Sequence, residues 1–167
     1  MFYAFLALIM AGIVGVDQWT KWLTLQHFKY EGEVAEESFL GLFRFAFVRN
    51  PGGAWSIFEG QTWLFLLALV VFAVVIAFLI KNKWFTKKAE LVALASIFGG
   101  ALGNAIDRIF REEGKVVDMI QFEFWRSFPT FNVADIFITL GCAFLIIYVL
   151  FFDKEVSERL DQKDKTE

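Results

Sequence analysis

The chain has 167 residues, 57 % of them hydrophobic and 19 % aromatic, with 22 Phe and only 2 Pro. Soluble domains of this size are usually about 45–50 % apolar, which excludes an ordinary soluble domain. A net charge of −3 argues against nucleic acid as a partner, and the single cysteine, Cys142, rules out an intrachain disulfide.

In chain order, residues 2–16 are apolar and continue helically through QWTKWLTL. A cleavable signal peptide would need a basic leader, yet no Lys or Arg precedes Lys21, so the segment reads as a first membrane helix over about 2–25. In the loop 26–60, Phe43, Phe45 and Phe47 alternate with Arg44, Ala46 and Val48, a strand pattern, and Asn50-Pro51-Gly52-Gly53 reads as a turn. Residues 61–80 carry no charge and have the length of about 20 that spans a bilayer. A third apolar stretch, 89–110, holds a polar cluster. Residues 116–124 again alternate, placing Asp118 on one face with Ile120, Phe122 and Phe124. A fourth helix over 135–152 precedes a mixed-charge tail, 153–167. The expected fold is a mainly α membrane protein: one integral domain over 1–152, with four transmembrane helices and a small sheet on the membrane surface. Trp55, Trp63 and Trp125 are expected to anchor that sheet at the headgroups.

The loop 81–88 (KNKWFTKK) packs four lysines into eight residues, and the tail adds Lys154, Arg159, Lys163 and Lys165. By the positive-inside rule both face the cytoplasm, so both termini lie inside. Helix 1 then runs outward and carries Asp17 about 22 Å along its axis, at 1.5 Å per residue. Helix 3 also runs outward, and helix 4 starts at the outer face. The intramembrane polar residues Asp17, Lys21, Asn104, Asp107, Arg108, Asn132 and Asp135 therefore converge near the outer leaflet. A charge at the centre of a membrane helix costs roughly 2.5–3.5 kcal/mol, which makes these groups functional candidates.

Several plainer readings apply. Asp17 and Lys21, at i and i+4, form a self-neutralising pair. Asn132 with Asp135 three residues on is an N-cap with an acid at N3. Gly99 and Gly103 have the spacing that brings membrane helices close. Asp107 is a weaker candidate for acid chemistry, because Arg108 and Arg111 could neutralise it. His27, alone at the end of helix 1, reads as an interfacial residue.

One His and one Cys offer no metal cluster and no Ser-His-Asp arrangement, so neither a metal nor another cofactor is expected. Paired carboxylates remain. Two close acids share a proton; the ionised member activates a water while the protonated one donates to the developing oxyanion or leaving amine. Asp118 and Asp135 are the natural pair. A transporter or proton relay would place polar residues at several depths, and a scaffold would tolerate replacement of the acids.

The blocks DQWTK (17–21), RNPGGAWS (49–56), GGALGNAIDR (99–108), VVDMIQF (116–122) and FNVADIFI (131–138) resemble those of bacterial lipoprotein signal peptidase, or signal peptidase II, in that family's order. The resemblance implies an aspartic endopeptidase of the bacterial inner membrane with a small periplasmic β-platform. It also implies a catalytic dyad of Asp118 and Asp135, supported by Asp17, Lys21, Asn50, Asn104, Arg108 and Asn132. The implied substrates are diacylglyceryl-modified prolipoproteins, cut on the amino side of the lipidated cysteine. Membrane lipids and globomycin-like inhibitors are the other implied partners. The chain departs from the family's usual residues at Gly53, Trp55 and Met119, all expected to be loop or cavity-lining positions.

Overall fold

The structure, a computed structural model, describes residues 1–52 and 60–152. Gly53, Trp55 and the tail 153–167 lie outside the described residues. Four helices, α1 (Phe2–His27), α2 (Thr62–Lys81), α3 (Lys88–Phe110) and α4 (Val133–Phe151), are each long and apolar enough to cross a membrane. Three strands, β1 (Val34–Phe39), β2 (Phe43–Asn50) and β3 (Val116–Phe122), form one antiparallel sheet in the order β1-β2-β3. The expected four-helix architecture with a small sheet is what the chain adopts. The sequence pattern had pointed to β2 and β3; β1, with the sequence VAEESF, lacks a clear alternation.

α3 is the central helix and packs against both α1 and α4, whereas α2 leans mainly on α3 and has no buried residue of its own. Its mean hydropathy of 3.2 is the highest of the four, as suits a helix surrounded mostly by lipid. A stacked Phe72–Phe98 pair, with ring centroids 6.2 Å apart, ties it to α3. Small residues allow the closer contacts. A Cβ added at Gly103 would meet the Asp17 carboxylate of α1, and one at Gly100 would lie 2.5 Å from the Ala134 carbonyl oxygen of α4.

At the other end of α3, Glu90 is fully buried and accepts the backbone N–H groups of Thr86 and Lys87, both at 2.9 Å. An acid at N3 that binds the preceding amides satisfies donors that would otherwise be orphaned.

The sheet is bent where it matters. Phe45 faces Ile120 and Val48 faces Asp118, so β2 fits one more residue than β3 into that interval. A bulge of this kind re-aims the side chains beside it. Val117 and Met119 pack with Phe28 and Phe47 in a small core under the sheet, while Val116, Asp118 and Phe122 line a cavity. Met119 is thus a core residue. The expectation that it lines the cavity is corrected by the strand's alternation, which turns it to the opposite face. The far edge of β3 is closed by a bridge from Ile120 to Phe131, which leads the chain into α4.

The close approach of α3 and α4 predicts a graded response to added methyl groups. Gly100→Ala should lower the thermal unfolding temperature in detergent by several degrees, because a backbone carbonyl and Ile138 block the new Cβ. Gly12→Ala, with nothing within 4 Å, should leave it unchanged or raise it slightly. Equal behaviour of the two variants would contradict this packing.

Candidate active site

The polar residues of α1, α3 and α4 meet at one end of the bundle, against the sheet. On α1, Asp17 and Lys21 are wholly buried and paired at 2.8 Å. The Lys21 ammonium also reaches Asp107 of α3 at 3.0 Å and donates to Asn104 Oδ1 at 3.0 Å. Its three N–H bonds thus have three acceptors, which a buried ammonium needs to offset its lost hydration.

Asn104 passes the arrangement on. Its Nδ2 donates to Asp135 Oδ1 at 2.8 Å, while its Oδ1 accepts from Asn132 Nδ2 at 3.0 Å as well as from Lys21. Asn132 is the N-cap of α4: its Oδ1 accepts from the Asp135 N–H at 3.0 Å, and its own N–H donates to Asp135 Oδ2 at 3.1 Å. The capping box read from the sequence is present. It holds Asp135 with one oxygen on the cap and the other on α3.

Asp118 comes to the same place from the sheet. Asn132 Nδ2 donates to its Oδ1 at 2.6 Å, and Asn50 Nδ2 to its Oδ2 at 2.9 Å. Asn50 is fixed in turn by the Gly52 N–H, which donates to its Oδ1 at 3.0 Å in the expected turn. Asp118 is 1 % exposed. Burial, and next the charge of Asp135, push its carboxyl up to about 7, against the opposing pull of the Asn50 and Asn132 donors.

Arg108 completes the group. It lies one turn from Asn104, donates to that residue's carbonyl oxygen at 3.3 Å, and stacks over the Phe65 ring of α2 at 4.0 Å. Its charge faces Asp135 first, then Asp118 and Asp107. All eight residues expected in the site therefore occur in one connected assembly. Asp107 is neutralised, as expected, by Arg111 at 2.7 Å, but its second cation is Lys21 rather than the adjacent Arg108, which turns toward the cavity.

Sequence reasoning missed Gln18. Its Nε2 lies 2.9 Å from Asp107 Oδ1, 3.1 Å from the Gly103 carbonyl oxygen and 3.2 Å from Asp17 Oδ2. Only its place beside Asp17 within DQWTK hinted at this. Thr139, one turn beyond Asp135 on the cavity wall, was missed too.

Asn50, Asn104, Arg108, Asp118, Asn132 and Asp135 line a cavity of about 430 Å³, whose other walls include Phe122, Phe128, Phe131, Ile136 and Leu140. A second cavity of about 350 Å³ between α2, α3 and α4 also reaches Asn104, Arg108 and Asp135. Among the described residues no group of three or more His, Cys, Asp or Glu could hold a metal ion.

The family model described as signal peptidase (SPase) II matches residues 9–151. The chain belongs to the signal peptidase II family. It is accordingly an aspartic-type protease, held in the membrane by several helices. Lipoprotein signal peptidase of Anoxybacillus flavithermus is 39 % identical over 99 % of this chain and 95 % of its own. The Enterococcus faecalis protein of that name is 38 % identical over 90 % of this chain and 91 % of its own. The Listeria monocytogenes protein is 36 % identical, over 89 % of this chain and 94 % of its own. Two solved bacterial membrane enzyme structures superpose with TM-scores of 0.79 and 0.77, at 29 % and 30 % identity. They cover 91 % and 89 % of this chain, and 91 % and 94 % of their own.

The raised Asp118 carboxyl makes stability depend on pH in a defined direction. Its ordinary value is 3.8, so the folded state binds its proton more tightly than the unfolded state. This contribution is fully present below about 4, declines as pH rises, and is lost above about 7. The unfolding temperature in detergent should therefore fall between pH 4 and pH 7 by more in the wild type than in Asp118→Asn. An identical slope in both would contradict the burial of this acid.

Proposed function

We propose that Asp118 and Asp135 are the catalytic pair of an endopeptidase that removes the signal peptide from diacylglyceryl-modified prolipoproteins. The bond cut is that on the amino side of the lipidated cysteine. The observation that carries this reading is that both acids, held by side-chain amides from three separate segments, line one largely apolar cavity.

Charge balance favours a shared proton. Asp17, Asp107, Asp118 and Asp135 face Lys21, Arg108 and Arg111, which leaves one negative charge in a mostly buried cluster. Uncompensated buried charge is costly, and one proton on the pair removes it. In the reaction, the ionised acid takes a proton from a water as its oxygen attacks the scissile carbonyl, and the protonated acid donates to the carbonyl oxygen. Collapse of the tetrahedral diol returns a proton to the departing amine of the lipidated cysteine. The signal peptide leaves with a new carboxylate. The Arg108 guanidinium, set beside both acids, stabilises negative charge that develops on the oxygen.

The substrate class suits the walls. A prolipoprotein carries an apolar signal helix on one side of the scissile bond and acyl chains on the other. The two cavities that meet at Asn104, Arg108 and Asp135 offer separate apolar surfaces. Lateral entry from the bilayer keeps the acyl chains out of water, which would otherwise cost about 0.8 kcal/mol per CH₂. With the lysine-rich loop 81–88 in the cytoplasm, both termini lie inside and the acids sit at the outer headgroup level of the bacterial cytoplasmic membrane. The diacylglyceryl cysteine is tethered at that depth. Globomycin-like cyclic peptides would compete for the same cavity.

Purified Asp118→Asn and Asp135→Asn variants should fold, with unfolding temperatures near that of the wild type. Both should lose cleavage of a diacylglyceryl prolipoprotein by at least about 1,000-fold, the scale seen when a reacting group is removed. Substantial cleavage by either folded variant would sink the proposal.

A further inference from the structure

Two buried carboxylates outside the proposed pair stand in matching relations to it. Asp17 Oδ1 accepts the N–H of Ala134 at 3.0 Å, and Ala134 immediately precedes Asp135. Asp107 Oδ2 accepts the N–H of Val117 at 3.0 Å, and Val117 immediately precedes Asp118. Each acid of the pair thus follows a residue whose amide is tied to a buried aspartate on another element.

The two ties are joined to each other. Lys21 Nζ bridges them, 2.8 Å from Asp17 and 3.0 Å from Asp107. Gln18 Nε2 bridges them again, at 3.2 Å and 2.9 Å. Arg111 holds the outer side of Asp107 through Nε at 2.7 Å, and its Nη2 reaches Gln18 Oε1 at 3.4 Å. Asp17, Lys21 and Asp107 are each fully buried, so water does not compete for these bonds.

We propose that Asp107 and Gln18 are positioning residues: Asp107 places Asp118 as Asp17 places Asp135, and the Lys21–Gln18 bridge sets the separation of the two acids. This rests on the proposed function, and it gives Asp107 a task that its charge neutralisation alone does not. Without the Asp107 tie, β3 is held to the helices near Asp118 by the Asn132 side chain, which Asn104 must already share with the cap of α4. The strand can then move away from α4.

The separation of two coupled acids is read most directly in the pH profile of the reaction. The groups that face Asp118 are Asp135 and Asn132 from α4, Arg108 from α3, Lys21 from α1 and Asn50 from β2. As Asp118 parts from Asp135 and gains water, the shared proton is held less tightly.

The test measures kcat, KM, the pH profile of kcat and thermal unfolding for wild type, Asp107→Asn and Gln18→Leu on a diacylglyceryl prolipoprotein. Asp107→Asn should lower kcat by about 100-fold, the usual effect of misplacing a reacting group by about 1 Å. KM should stay within a factor of about two, because the cavity walls that bind the apolar substrate are untouched. The alkaline limb should move to lower pH by half a unit or more, a shift large enough to be read as altered coupling between the acids. Gln18→Leu, which keeps every charge, should move kcat and the limb in the same direction by less, and it decides the matter if Asp107→Asn does not fold. A fall in kcat that only tracks the folded fraction, with the limb unmoved, would overturn the proposal and leave these residues merely structural. Unchanged kcat in folded variants would overturn it as well. Failure of the wild type to cleave this substrate would instead refute the proposed function, so the two failures are distinguishable.

Discussion

The polar end of this helix bundle depends on one buried ammonium. Lys21 is the point at which α1 and α3 are joined by charge, and through Asn104 and Asp17 it reaches the start of α4. An ammonium stripped of water is tolerable only with its donors satisfied and its charge balanced, and removing one partner of a buried pair typically costs about 3–5 kcal/mol. That cost runs in both directions. It makes the cluster an unfavourable place to put charges for stability alone, and it makes their mutual placement rigid once they are there. The close helix contacts at Gly100 and Gly103 serve the same end, because only small residues let α4 and the Asp17 carboxylate come near enough to α3.

Rigidity of this sort suits the proposed reaction, in which two acids act at a set distance. The sheet contributes Asp118, bent into place by the bulge in β2, and the helices contribute Asp135 through an N-cap. Asn132 is the shared element, since its side chain caps α4, contacts Asn104 and donates to Asp118. Apolar surfaces then lead away from the acids on two sides, toward α2 and toward the aromatic group around Phe122 and Phe131. The proposed substrate, with an apolar helix on one side of the scissile bond and acyl chains on the other, would use such a surface on each side.

Much of this was legible in the sequence, for identifiable reasons. Apolar runs of bilayer length leave little choice but four helices, and the alternation of residues 43–48 and 116–122 marks two strands. The cap at Asn132 and Asp135 is local and was readable as such. Less legible were relations that cross the chain. Asp107 takes its second cation from α1 rather than from adjacent Arg108, because a helical residue one position on points about 100° away. Gln18 is an ordinary amide until the fold sets it against residues 85 and 89 positions away in the chain. β1 escaped notice because a strand on the sheet's exposed edge needs no buried face, and all but Ala35 of its residues are exposed. Met119 was expected at the cavity wall although the alternation of residues 116–124 already set it opposite Asp118, and it lies in the small core.

The central claim is that two acids at headgroup depth cut a lipidated precursor at one bond. The most direct measurement is mass spectrometry of the products when the purified protein meets one prolipoprotein in diacylglyceryl-modified and unmodified forms. The account predicts a single cut in the modified form, leaving the lipidated cysteine with a free amino group, and little or no cleavage of the unmodified form. Equal cleavage of both, or a cut elsewhere in the chain, would contradict it.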